Sequence, residues 1–146
     1  MPYDRLIVAS LKSGTIGALA MVPFGLAFRA SGLPLGYYGP KFASLFLDSP
    51  GAAVLLAQHL VLGWISAFPL VVLLGIVNTR WPPLLVGATY GALYYVVISS
   101  LLLPLYFGDA LPWQLGVAAV IPSLVMHLVF GAVAGYMAKR VLARAT

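Results

Sequence analysis

The sequence predicts an all-α integral membrane protein with four transmembrane helices, and three observations carry that expectation. The 146 residues are 62% apolar and 8% charged, whereas an average soluble domain is about a quarter charged and roughly half apolar. Four apolar stretches are each long enough to cross a hydrocarbon core, which takes about 20 helical residues. Alternating strand-like segments of about ten residues are absent, so helices are the way to satisfy the backbone in lipid. Fifteen glycines and eleven prolines fit as well, both being commoner in membrane helices than in soluble ones.

The first stretch runs from Ile7 to Phe28. It carries Lys12, which lies near enough to the boundary to snorkel outward. A basic start before an apolar run also describes a signal peptide. This run is long, ends in "FRASGL" and is needed as a partner by a later repeat, so it is read as a retained helix. The connection 30–51 contains "GYYGPKFASLFLDSPG". Tyr37 and Tyr38 suit the headgroup level, Pro40 a first helical position, and Phe42, Leu45 and Phe46 one apolar face. That pattern predicts a short interfacial helix in the first outer loop. The second span runs from Ala52 to Val77 and is followed by a tight turn, "NTRWPP", with Trp81 as a belt residue. The third runs from Leu84 to Phe107. "GDALPWQLG", anchored by Trp113, leads to the fourth, Gly116 to Ala138.

Arg5, Lys12, Arg80, Lys139, Arg140 and Arg144 fall on one side of this arrangement, and Arg29 and Lys41 on the other with Asp48 and Asp109. The positive-inside rule then places both termini in the cytoplasm. The net charge of +5 is gathered at segment ends. It reads as orientation and contact with lipid headgroups, with no nucleic-acid partner.

Within a single domain, 1–146, the chain reads as two tandem two-helix repeats, about 7–78 and 84–138. "TIGAL" (Thr15–Leu19) returns as "TYGAL" (Thr89–Leu93), and "HLVLG" from His59 returns as "HLVFG" from His127. Both hairpins start on the same side, which predicts a pseudo-two-fold axis along the membrane normal. Small residues line the repeated words. Ser13 and Gly17 form one pair and Gly87 and Gly91 another; Gly63 and Ala67 follow His59, and Gly131 and Gly135 follow His127. Small faces let backbones approach where lipid offers little hydrophobic drive. They also turn the two imidazoles into the bundle, while Leu60, Trp64 and Phe68 project elsewhere.

These are the only two histidines of the chain. The first reading is structural: an interhelical hydrogen bond worth roughly 0.5–2 kcal/mol, with Thr15, Thr89, Gln58, Ser66 and Ser123 as candidate partners. The second is a b-type haem held between His59 and His127, its propionates met by Arg29, Tyr37, Tyr38 or Lys41. Counting to the basic boundaries opposes a level pair. His127 lies 12 residues before Lys139 and His59 lies 21 before Arg80, a depth difference above about 10 Å; a kink at Pro69 would reconcile them. Two histidines alone are too few for a zinc or copper centre, so no metal is expected.

Other chemistry is thin. Without cysteine there is no disulfide framework, thiolate site or thiol nucleophile. Asp4, Asp48 and Asp109 are the only acids and lie outside the spans, so no intramembrane carboxylate is available for a proton relay. Ser99 and Ser100 sit in an apolar span, where serines satisfy helix backbone. Pro23, Pro69, Pro104 and Pro122 read as packing kinks. No catalytic residues are assigned and the protein is not expected to be an enzyme.

The chain resembles a group of small prokaryotic four-span integral membrane proteins with a repeated His-aliphatic-aliphatic-x-Gly word. The matching positions are Gly14, Gly17, Ala18, Met21, His59, Gly63, Gly91, His127 and Gly131; "WISAFPLVV" and the basic tail have no counterpart. The resemblance implies a four-helix fold in the inner (plasma) membrane of a prokaryote and carries no established activity. The leading expectation is a non-catalytic accessory or structural subunit of a larger membrane complex, such as a respiratory one, with lipids, other subunits or a second copy as partners and no cofactor. A haem-binding electron carrier is the alternative, and a small transporter or lipid-binding protein the third. The last would want a polar cavity between the hairpins, and few polar residues stand out to line one.

Overall fold

The computed structural model describes residues 3–35, 38–77 and 80–143, and every regular element among them is helical. In chain order these are α1 (Tyr3–Ala30), α2 (Tyr38–Ala43), α3 (Ala52–Ile76), α4 (Pro83–Tyr94), a π-helical segment (Tyr95–Leu102), α5 (Leu103–Phe107), a short 3₁₀ turn (Pro112–Gln114) and α6 (Val117–Ala143). Helices α1, α3, α6 and the continuous third span Pro83–Phe107 are long and apolar enough to cross a membrane. Tyr37, Asn78, Thr79 and Arg144, which entered the sequence reading, lie outside the described residues.

Helix ends explain the apparent depth conflict. Lys139 is no terminus, because α6 runs on to Ala143. His127 stands 16 residues from the end of α6 and His59 stands 17 from the end of α3, so the two count to the same depth. The short helix of the first connection ends at Ala43, sooner than the Phe42, Leu45 and Phe46 pattern requires; the rings of Phe42 and Phe46 meet edge-on at 5.6 Å.

The third span is not a uniform α-helix. The Leu103 N–H closes on the carbonyl of Ile98, five residues back, and Pro104 follows with no N–H to give. A π turn beside a proline widens the helix and changes which side chains share a face.

Helix α6 occupies the middle of the bundle. It packs along α1 on one side and α4 on the other, α3 packs along α1, and α3 meets α4 only sparsely. All eight small packing residues singled out in the sequence are buried: Ser13, Gly17, Gly63, Ala67, Gly87, Gly91, Gly131 and Gly135. A Cβ on Gly87 would strike the Gly131 carbonyl, one on Gly91 the His127 carbonyl, and one on Gly135 would lie 2.6 Å from the Pro83 carbonyl oxygen. The first hairpin closes through Gly14, where a Cβ would lie 2.6 Å from the Gly63 oxygen, while Gly17 faces Phe130 of α6. The equivalents Gly17 and Gly91 therefore both serve α6. An exact two-fold would make the α1–α6 and α3–α4 contacts alike, and here they differ. The apolar core of Ala67, Leu70, Val71, Leu74, Phe130, Ala134, Ala138 and Leu142 fills the half nearer the termini.

Candidate functional site

Opposite that core, the two long connections meet. Lys41 Nζ donates to both carboxylate oxygens of Asp109 at 2.6 Å and lies 5.0 Å from the centre of the Phe107 ring, on which Tyr38 stacks at 5.9 Å. Gln58 Nε2 donates to the Gly39 carbonyl, tying α2 to α3. Burial, then the Asp109 carboxylate and a hydrogen bond to it, push the Tyr38 hydroxyl above its ordinary value of 10.0, since each disfavours a phenolate.

Beneath this cap lies a cavity of about 260 Å³ walled by all four spans. Its polar lining comes from α2 (Tyr38), α3 (His59, Ser66), the third span (Tyr94, Ser99) and α6 (Ser123, His127). A second cavity, about 470 Å³, adjoins it, sharing Leu35, Tyr38, Ser99 and Ser123 and reaching Asp109 and Pro112. Tyr95 lines this second space; its hydroxyl and that of Ser100 are buried without a hydrogen-bond partner among the described residues.

Each histidine ties its own hairpin together. A carbonyl only accepts, so His59 Nε2 donates to Ala18 O at 3.1 Å, and His127 Nδ1 donates to Ser123 O at 2.6 Å. With Nδ1 protonated, His127 Nε2 accepts from Ser99 Oγ at 3.0 Å. Tyr94 stacks on the His127 ring at 5.8 Å and Tyr95 lies 5.5 Å away.

Several expected pairings are replaced. Thr15 accepts from Trp64 Nε1 at 2.8 Å, so Trp64 turns back onto α1 and does not project away. Thr89 is exposed in an apolar cleft with Leu73, Trp81 and Leu93. The ring beside it, Tyr90, donates to the Ser66 carbonyl at 2.5 Å, and Ser66 Oγ donates to Tyr94. These bonds hold the sparse α3–α4 seam. Ser123 contributes its carbonyl, and Gln58 serves Gly39. Ser99, read as satisfying helix backbone, instead holds a histidine.

In this packing each Nε2 has a protein partner, Ala18 O for His59 and Ser99 Oγ for His127. Of the expected propionate partners, Lys41 is paired with Asp109 and Arg29 is exposed. No family model, curated protein or solved structure matches the chain.

Proposed function

We propose that this protein binds a small ligand inside its own bundle and is a carrier or receptor in a membrane, without catalytic chemistry. The observation that carries the reading is the convergence of six polar side chains from three spans on one cavity. Polar groups at membrane depth are costly and mark functional positions, and a concave site with a few convergent polar groups is the default binding site. The glycine faces that suggested docking to a larger complex are consumed within the bundle, which shifts weight from the accessory-subunit reading to the cavity.

The reading places the protein in a prokaryotic plasma membrane with both termini in the cytoplasm. The Lys41–Asp109 cap then faces outward and α2 lies along the outer interface. The paired phrases descend from a duplicated hairpin whose second copy has shifted its partners around α6.

Native mass spectrometry of protein purified from its host membrane in mild detergent tests the proposal. A retained mass, organic or metal, is expected on the wild type. It should fall on Tyr94→Phe, which keeps the ring, and on Ser99→Leu, which fills the cavity. A folded wild type with no retained mass, or one that both variants keep undiminished, defeats the reading.

A further inference from the structure

We infer that the cavity holds a soft monovalent metal ion, Cu(I), between His59, His127, Met21 and Met126. This rests on the cavity reading and names its occupant. All four side chains line the same space, and they include both histidines of the chain and two of its four methionines.

Each imidazole is prepared as a metal ligand. Histidines that bind metal almost always give the other ring N–H to a carboxylate, backbone carbonyl or water, which fixes the tautomer. Here Ala18 and Ser123 supply those carbonyls. What remains is a lone pair on His59 Nδ1, with no hydrogen-bond partner among the described residues, and one on His127 Nε2. The latter is held by Ser99, a hydroxyl that can rotate away.

The thioethers come from the same region. On α1, Ala18, Met21 and Gly25 share a face within about two helical turns, roughly 10 Å. Ala18 anchors His59, and the missing side chain at Gly25 leaves room for Met126, whose methyl and sulfur would lie 3.4 and 3.8 Å from a Cβ there. Methionine has three rotatable bonds and can swing onto an ion.

The donor set selects the metal. Thioether and imidazole favour Cu(I), whereas carboxylate, carbonyl and water suit Mg, Ca and Mn. No carboxylate or thiolate lines this cavity. Four neutral donors leave a single positive charge to shelter, the least costly choice for a cation at membrane depth.

The test is an anaerobic Cu(I) titration of the purified full chain against a chromophoric Cu(I) chelator, with X-ray absorption to read the donor atoms. One Cu(I) per chain in mixed sulfur and nitrogen coordination is expected. Met21→Leu with Met126→Leu conserves volume, a swap that usually costs under about 1.5 kcal/mol, and thermal unfolding checks that it folds. It should weaken Cu(I) binding by roughly a hundredfold or more, since even outer-shell partners are worth 10–100-fold. Met137→Leu, outside the cavity lining, should leave binding unchanged. Copper bound equally by the double variant overturns the assignment. An organic mass retained in the cavity without any Cu(I) affinity also overturns it while leaving the binding role standing, and no retained mass together with no copper removes both.

Discussion

Gly131→Ala is the sharpest test of how this bundle is held. A Cβ at this position would collide with the Gly87 carbonyl oxygen and lie 2.8 Å from the Gly91 nitrogen. Both are backbone atoms of a helix, so no side chain can step aside and α4 must move from α6 by the order of an ångström. A gap of 0.5–1 Å forfeits a quarter to a half of each dispersion well of about 0.1–0.2 kcal/mol. Over some 40–60 atom pairs, the number one buried leucine makes, that is about 1–6 kcal/mol. Alanine returns about 0.5–1 kcal/mol through helix propensity. The net expectation is a loss of about 0–5.5 kcal/mol centred on about 3 kcal/mol, and that central value is roughly 6–12 °C in Tm at the 2–4 °C per kcal/mol typical of this chain length. Gly25→Ala is the matched control, because its Cβ would meet only the flexible end of Met126 at 3.4 Å; it should be neutral or slightly stabilising. Thermal unfolding in one detergent compares the two. If Gly131→Ala melts with the wild type, or Gly25→Ala melts as low as Gly131→Ala, the close-approach account of the α4–α6 seam is refuted.

Three further outcomes follow from other contacts. The phenolate absorption of Tyr38, isolated by subtracting the Tyr38→Phe titration, should rise above pH 10, and Asp109→Asn should bring it back toward the ordinary value of 10.0. Because the folded-state value is raised, the neutral phenol's contribution is fully present below pH 10 and disappears as pH climbs past it, so this contribution to the cap is lost in alkali. Asp109→Asn should cost about 0.2–1 kcal/mol and less at high salt, since Lys41 and Asp109 remain 35% and 31% exposed; a larger loss would mean the pair does more than staple two loops. Trp64→Phe and Thr15→Val should each cost about 0.6 kcal/mol, up to about 1.7, with the double variant no worse than either alone; full additivity would deny the bond between them.

The four spans were legible because length and apolarity alone decide them: α1 and α6 exceed their expected ends by more than one residue, where Tyr3–Leu6, Arg29–Ala30 and Lys139–Ala143 continue a helix beyond the apolar run. The buried small residues were legible from their spacing. Partner choice was not, because Gly14 and Gly17 are three positions apart and serve α3 and α6 respectively, a division that repeat matching cannot see. The polar cavity escaped for a different reason. Tyr94 and Ser99 are five residues apart, about 140° around an α-helix, so they read as unrelated; the π segment brings both onto one wall. Nothing in "YYVVISS" announces that change of pitch except Pro104 after it. Met21 and Met126 carry no signal in the sequence, since a thioether shows its donor character only beside other donors.

The position of α6 has a consequence for biogenesis. The third span leans mainly on α6, and α6 leaves the ribosome after it. During synthesis the α1–α3 hairpin can therefore close on its own, while the tyrosine- and serine-bearing third span waits in the bilayer without its main mate. Chains cut before Val117 should leave that helix an orphan, exposed to insertion chaperones and membrane proteases, and surveillance of this protein should act most strongly in the interval before α6 arrives.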